Sequence, residues 1–413
     1  ELGEENIQEM SFDLFAYRKL QDTAADCEDR CDQIEREMRD PKAAERFVLK
    51  QSQAFVDQME GFALELEDEL MNFSDVSYKS FVKSESEIIT LFYDKFADIP
   101  LLSRMDAVAE TFIDEIETLL NRDLPEEERI PLIEKFRKMY GTMDFYVLYN
   151  RFLKKEGYQT LPRRPLEKRK LRYEDVYPVL YLKYRLSRQA ERSNIKHLVI
   201  DEMQDYSRLQ YLIIRRMFSC KMTILGDRAQ TMADQQQDVL QFLPGIFGKD
   251  LRRIEMRKSY RNTVEIASYA ANLIGVTDLE LFERHGMPVL QRDVTDLEAA
   301  LREAVDTLLP DEKTYETAAV IVPDEKTAER AYLILREILA EKDFDCGKRL
   351  SWLNRDSSSF KKGLTVTTFY LAKGLEFDQV FSIFPKDEKR EIMMQAQYIA
   401  ATRALHELRV YHI

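Results

Sequence analysis

The run His197-Leu198-Val199-Ile200-Asp201-Glu202-Met203-Gln204-Asp205 limits the possible folds of this chain more than any other stretch. Three apolar residues lead straight into two adjacent carboxylates, with an amide and a third carboxylate close behind. A short apolar run without alternation suits a parallel strand covered on both faces. In open α/β sheets the chemistry lies just beyond the carboxyl ends of such strands, where Asp201 and Glu202 emerge. Two carboxylates there suit a magnesium ion and an attacking water, the requirements of nucleotide hydrolysis. The same residues also describe a strand that ends in a solvated acidic turn, so the surrounding chain must decide between the two.

From residue 173 onward, helix-like and strand-like periodicities alternate. Helices are expected at 173–186, 207–217, 264–273, 297–308, 328–339 and 392–405. Strands are expected at 197–200, 222–225, 318–322, 364–368, 380–384 and 408–411. Such alternation builds parallel α/β layers. Residues 1–160 instead read as helical almost throughout, punctuated by Pro41, Pro100, Pro125 and Pro131, and 43–73 reads as one long protruding helix. A basic, proline-containing stretch at 159–172 marks the boundary.

At 413 residues the chain exceeds a single core. No apolar run approaches the ~18 residues that a membrane span needs. Cys27, Cys31, Cys220 and Cys346 are scattered. Cys27 and Cys31 read as sharing a helical face without partners for a metal, which fits a reduced cytoplasmic protein. Charge is uneven. Residues 1–160 hold 37 acidic against 20 basic side chains, a balance of −17, while the remainder is near neutral at +3. The acidic part repels a phosphate backbone. It suits either a solvated helical surface or entry into a basic channel on a partner.

Four further segments carry chemistry. Leu225-Gly226-Asp227-Arg228-Ala229-Gln230 follows the second strand, and Lys258-Ser259-Tyr260-Arg261-Asn262 precedes a helix. Thr365 to Phe377 runs from a strand into Lys373-Gly374-Leu375-Glu376. Tyr398-Ile399-Ala400-Ala401-Thr402-Arg403 places an arginine inside an otherwise apolar helix, where it calls for an anionic partner. In this order, with Asp201-Glu202-Met203-Gln204-Asp205, the segments resemble the motor core of superfamily 1 helicases of the UvrD/Rep type, over residues ~173–413. The resemblance implies an α/β fold of P-loop NTPase, RecA-like parallel sheets. It implies ATP and Mg²⁺ as cofactors, with Asp201 as the metal-binding acid and Glu202 as the general base. Gln230 would sense the γ-phosphate, and Arg261 and Arg403 would be two arginine fingers. Tyr260 would stack on adenine, and Glu376 would lie near the ribose on a loop shaped by Lys373 and Gly374.

Several departures from the family pattern narrow the expectation. There is no G-x-x-x-x-G-K-[ST]; Gly248-Lys249 and Gly347-Lys348 lack the spaced glycine and the hydroxyl. The resemblance places that loop upstream of the acidic pair, so the chain reads as a C-terminal portion that is silent alone. The acidic motif is one residue short. Thr231-Met232-Ala233-Asp234-Gln235-Gln236 stands where the family has Trp-Arg-Gly, which removes a stacking platform for single strands, and Tyr370 replaces a histidine. Only 103 residues separate Arg261 from Thr365, too few for the accessory domain of unwinding helicases. These features resemble the HelD-like, helicase-IV-like ATPases that bind bacterial RNA polymerase. The expected layout is an acidic helical arm inserted in the first RecA-like domain (1–165), the latter part of that domain (166–256) and the second RecA-like domain (257–413). The expected role is ATP-dependent release of nucleic acid from RNA polymerase, the enzyme being thereby recycled. The alternative is a DNA helicase or single-strand translocase in repair.

Overall fold

The computed structural model describes residues 9–188, 195–227, 230, 239–256, 258–276, 280–311, 315–342, 349–355, 357, 362–386 and 390–413. The chain opens with α1 (Phe12–Lys19), the two-residue strand β1 (Asp26–Cys27), α2 (Arg30–Arg39), α3 (Pro41–Gln51) and α4 (Gln53–Glu69). The antiparallel pair β2 (Val76–Tyr78) and β3 (Phe81–Lys83) follows, then α5 (Glu85–Thr90), which passes into a π-helical turn. Next come α6 (Leu101–Leu120), α7 (Glu126–Arg137), α8 (Phe145–Lys155), β4 (Lys170–Leu171) and α9 (Tyr173–Leu186). The long α6 is amphipathic: Leu101, Met105, Val108, Phe112, Ile113 and Ile116 recur at three- and four-residue steps and are all buried. It stops at Asn121, which adopts a left-handed conformation (φ 51°).

Three expectations for this part fail for local reasons. Pro131 ends no helix and lies inside α7. Residues 43–73 are not one protruding helix, because the chain breaks at Ser52. Its backbone is extended, and its hydroxyl accepts from Phe55 N to cap α4. Far from protruding, α4 buries Phe55, Val56, Met59, Phe62, Ala63 and Leu66. Cys27 and Cys31 share no helical face either. Asp29 caps α2 through Asp32 N, so the helix starts at Arg30 and Cys27 is left in β1, which pairs in parallel with β4.

One apolar core joins the helical part to the first parallel strands and their helices, running from Phe15 through α4, α6, α8 and α9 to Phe242 and Leu243. Beside it lies a buried ionic cluster. Lys50 Nζ donates to Asp175 Oδ1 at 2.6 Å, and Tyr149 O–H donates to the same oxygen at 2.7 Å. Arg36 and Arg46 both reach the buried Glu174. Such groups are tolerated in an interior because each charge meets a counter-charge.

The chain continues with β5 (His197–Ile200), α10 (Arg208–Met217), β6 (Lys221–Ile224) and α11 (Val239–Phe247). β5 and β6 pair in parallel in direct register, His197 opposite Lys221 and Ile200 opposite Ile224. Ser207 and Gln210 form a reciprocal capping box that starts α10 immediately after the acidic turn.

The second unit begins with β7 (Lys258–Ser259), α12 (Val264–Ile274) and β8 (Glu280–Leu281). It then builds β9 (Leu290–Asp293), α13 (Leu297–Asp311), β10 (Thr317–Val322), α14 (Glu325–Glu341) and β11 (Leu350–Trp352). It closes with β12 (Gly363–Thr368), β13 (Phe377–Phe384), α15 (Glu391–Thr402) and β14 (Ala404–His412). Six of these strands form one wholly parallel sheet in the order β11-β12-β10-β13-β14-β9. Its faces are covered separately. Residues of α12 and α15 pack on Ala319, Ile321 and Val380, and residues of α13 and α14 pack on Val320, Val322 and Phe381. Burial on both sides explains the apolar run of β10, and it explains why β13 carries apolar residues on both faces, Val380 and Phe384 on one and Phe381 and Ile383 on the other. The fold is therefore α/β, with parallel sheets and a helical part. No helix among the described residues is long and apolar enough to cross a membrane.

Candidate functional site

The site assembles where β5 and β6 end. Glu202, the first residue past Asp201, has φ 52° and ψ 47°, a left-handed conformation unusual for a side chain of its size. Strain of this kind, about 1–3 kcal/mol per residue, persists only where neighbours hold it. The hold is visible here. Asp201 Oδ1 accepts from Glu202 N at 2.8 Å, and Met203 N donates to Leu225 O at 2.8 Å. Gln204 then ties the two strand ends together: its Nε2 donates to Glu202 Oε2 at 2.6 Å and its Oε1 accepts from Asp227 N at 3.0 Å. Gly226 permits this closeness. A Cβ there would lie 2.4 Å from Gln204 Oε1 and 2.7 Å from Met203 N.

The second unit supplies the rest. Gln230 Nε2 donates to Asp227 Oδ2 at 2.9 Å, and Gln230 Oε1 accepts from Arg403 Nη2 at 2.9 Å, so the expected sensor and finger touch across the two units. Arg403 is 2% exposed. It does not lie inside a helix as its sequence context suggested: α15 ends at Thr402 and β14 starts at Ala404, so Arg403 occupies the junction. The junction is pinned by Asn262, whose Nδ2 donates to Thr402 O at 3.1 Å and Ala404 O at 2.6 Å. Arg261, next to Asn262, pairs through Nε with Glu376 Oε1 at 2.7 Å. Both partners are roughly half exposed, so the pair is worth at most about 1 kcal/mol and is cheap to open. Tyr260 beside it is 65% exposed. Gly374 turns the loop with φ 83°.

Sequence reasoning missed the principal role of Lys373, to which it gave only loop shaping. The side chain is 6% exposed and lies among groups of the first unit. Its Nζ donates to both oxygens of Asp205 at 2.8 and 2.7 Å and to Gln230 O at 2.9 Å, and lies 3.3 Å from Glu202 Oε2. The available signal was weak: one lysine in a Lys-Gly turn, with its carboxylate 168 residues away.

The electrostatics fit this crowding. Burial raises the Asp205 pKa above the usual carboxylate range, with Lys373 pulling the other way. Burial and then the neighbouring Arg261 lower that of Arg403, against Glu202 and Glu376. Burial and Asp227 raise the Tyr398 phenol, whose O–H donates to Asp227 Oδ2 at 3.4 Å. Asp201, an exposed oxygen donor at the strand end, fits the needs of Mg²⁺, which binds one or two carboxylates and completes its shell with water and phosphate. Among the described residues no three His, Cys, Asp or Glu side chains form a closed metal cage. Arg228, Ala229, the 231–236 stretch, Cys346 and Gly347-Lys348 lie outside the described residues.

A family model, the UvrD/REP helicase N-terminal domain, matches residues 4–232, a span that includes the acidic helices. No curated protein matches the chain. Among solved structures, the chain is similar to the C-terminal domain of a possible DNA helicase from Lactobacillus plantarum WCFS1, at 24% identity and a TM-score of 0.30 over 38% of this chain and 88% of that one. It is also similar to the PRRSV helicase (14%, TM-score 0.31, 65% of this chain and 45% of that one). A third is the Mycobacterium smegmatis helicase Lhr bound to ssDNA and AMP-PNP (12%, TM-score 0.33, 68% and 38%). The chain thus spans less than half the length of the last two.

Proposed function

The chain belongs to the UvrD/REP helicase family, and on that premise we propose that it forms most of an ATP-hydrolysing site between two RecA-like units. The observation that carries the reading is the meeting of Glu202, Gln230, Lys373 and Arg403 at the ends of β5 and β6, drawn from both units. Two units closing on one nucleotide let the site be made and unmade by domain motion.

In this reading Tyr260 stacks on the base and Glu376, on its Gly374 turn, faces the ribose. Asp201 would hold a magnesium ion, which would neutralise phosphate charge. Glu202 takes a proton from the water that attacks the γ-phosphorus. The bond from γ-phosphorus to the bridging oxygen breaks, and ADP and phosphate leave. Gln230 senses the γ-phosphate, while Arg261 and Arg403 carry the charge that develops on it. An arginine in that role contributes ~10³–10⁵-fold in rate. The exposed Arg261–Glu376 pair opens at little cost to admit the phosphates. Val199 and Leu225, 60% and 49% exposed, leave apolar surface on the β5–β6 pair where a parallel sheet expects cover.

For the target, we favour bacterial RNA polymerase, with release of nucleic acid as the outcome and residues 1–165 as the engaging arm. The −17 balance of residues 1–160 supports this, since an acidic surface suits a basic nucleic-acid channel. The second reading, a superfamily 1 DNA helicase or single-strand translocase, is favoured by the family match itself. Co-elution with core RNA polymerase at physiological salt, with single-stranded DNA as competitor, separates them. Retention that is lost when acids of 1–165 are reversed to lysine supports the polymerase reading. DNA binding without retention supports the translocase.

A further inference from the structure

Helix α2 belongs in sequence to the acidic helical part, yet one of its faces is seated in the second unit. Ile34 and Met38 are buried among Phe369, Tyr370, Ala372 and Phe377. Around that apolar seat, Arg355 pairs with Asp29, Asp32 and Glu325, and Arg390 Nη1 donates to Met38 O at 2.6 Å. The opposite face is tied to the first unit. Arg36 Nη2 reaches Glu28 at 2.7 Å and Glu174 at 2.8 Å. The helix is thus held on both sides.

Glu35 is where α2 meets the functional loop. Its Oε1 accepts from Tyr370 O–H at 2.7 Å and from Glu325 N, at the head of α14, at 3.0 Å, while Oε2 pairs with Arg39. Tyr370 is 6% exposed and stands three residues ahead of Lys373. Between them the turn is held by Ala372 N on Thr368 O at 2.9 Å and Leu375 N on Ala372 O at 3.0 Å. The polar end of Tyr370, which stands where the related motors carry a histidine, is therefore spent on a helix 335 residues away in sequence.

We infer that Glu35 and Tyr370 are positioning residues through which α2 sets the loop bearing Lys373 and Glu376, so that a shift of the helical part is felt at the nucleotide site. The functional half of this inference rests on the ATPase reading above; the mechanical half does not. Tyr370→Phe removes only the donor, Glu35→Ala removes the acceptor, and Glu35→Gln keeps an acceptor oxygen. The first measurement is amide hydrogen exchange in this chain. Tyr370→Phe and Glu35→Ala should each speed exchange at Ala372 and Leu375 roughly tenfold, the equivalent of one lost hydrogen bond. The double variant should add nothing further, Glu35→Gln should recover most of the protection, and β10 and β13 should be unchanged.

The second measurement is ATP turnover by the full-length protein. There kcat should fall by a similar factor in both single variants, with KM for Mg·ATP within about twofold. Unchanged exchange at Ala372 and Leu375, or an equal rise in β10 and β13, would overturn the inference. Altered exchange with kcat at the wild-type value would overturn its functional half. A wild-type protein that hydrolyses no ATP would instead overturn the ATPase reading, and the exchange result would still decide the coupling.

Discussion

Replacing Lys373 with methionine keeps the length of the side chain and removes its charge. In the structure this strands the Asp205 carboxylate, which is one-fifth exposed, and takes a donor from Gln230 O. Removing one partner of a buried ion pair costs ~3–5 kcal/mol. Because Asp205 keeps some contact with water, we expect the low end, about 3 kcal/mol. Asp205→Asn in the same background removes the stranded charge. The double variant should therefore recover about 2 kcal/mol, a coupling far from additive. The pH dependence has a definite sign. Burial already raises the folded pKa of Asp205 above its unfolded value, and loss of Lys373 raises it further. A carboxylate of this kind binds its proton more readily in the folded state. The deficit is thus fully present at pH 8 and shrinks as pH falls through the raised folded pKa. Urea denaturation followed by circular dichroism at pH 8 and pH 5 measures both effects. A loss below 1 kcal/mol, additive singles, or a deficit that grows toward acid pH would refute the reasoning.

Other outcomes depend on single contacts. Gly226→Ala forces a Cβ against Gln204 and the Met203 backbone and should cost about 1–3 kcal/mol in thermal unfolding, with loss of hydrolysis in the full-length protein. Ser52→Ala removes the cap of α4 and should cost ~1 kcal/mol, read by the urea midpoint, without effect on turnover. Arg403→Ala should lower kcat by ~10³-fold or more in a single-turnover assay.

The parts of the fold that were legible are those with long, regular periodicity. Helix α9 lies at the expected Tyr173–Leu186, and β10, β12 and β13 fall within a few residues of their expected places. The apolar run of β10 states that both its faces are covered, and nothing distant contradicts it. The helical part was harder because a polar residue in a helical pattern carries two meanings. Ser52 looks neutral in sequence and is in fact a cap. Cys27 sits at helical spacing from Cys31 but is excluded by Asp29. The short strands β9 and β11 were missed because three or four residues at a sheet edge carry no alternation. At the site, the sequence motifs named Gln230 and Arg403, which hydrogen-bond, and Arg261 and Glu376, which pair. They did not show the left-handed Glu202, the clasp of Asn262 on the Arg403 junction, or the insertion of Lys373 between Glu202 and Asp205. Those depend on partners far apart in the chain, which only packing reveals.

The most direct test of the central claim is ATP hydrolysis and Mg·ATP binding by the full-length protein and its Glu202→Gln variant, measured side by side. Turnover should fall by ~10³-fold or more, with nucleotide binding retained within a few-fold, because the variant keeps the shape of the side chain and loses only its ability to take the proton from water. Near-normal turnover in the variant would contradict the assignment of the site.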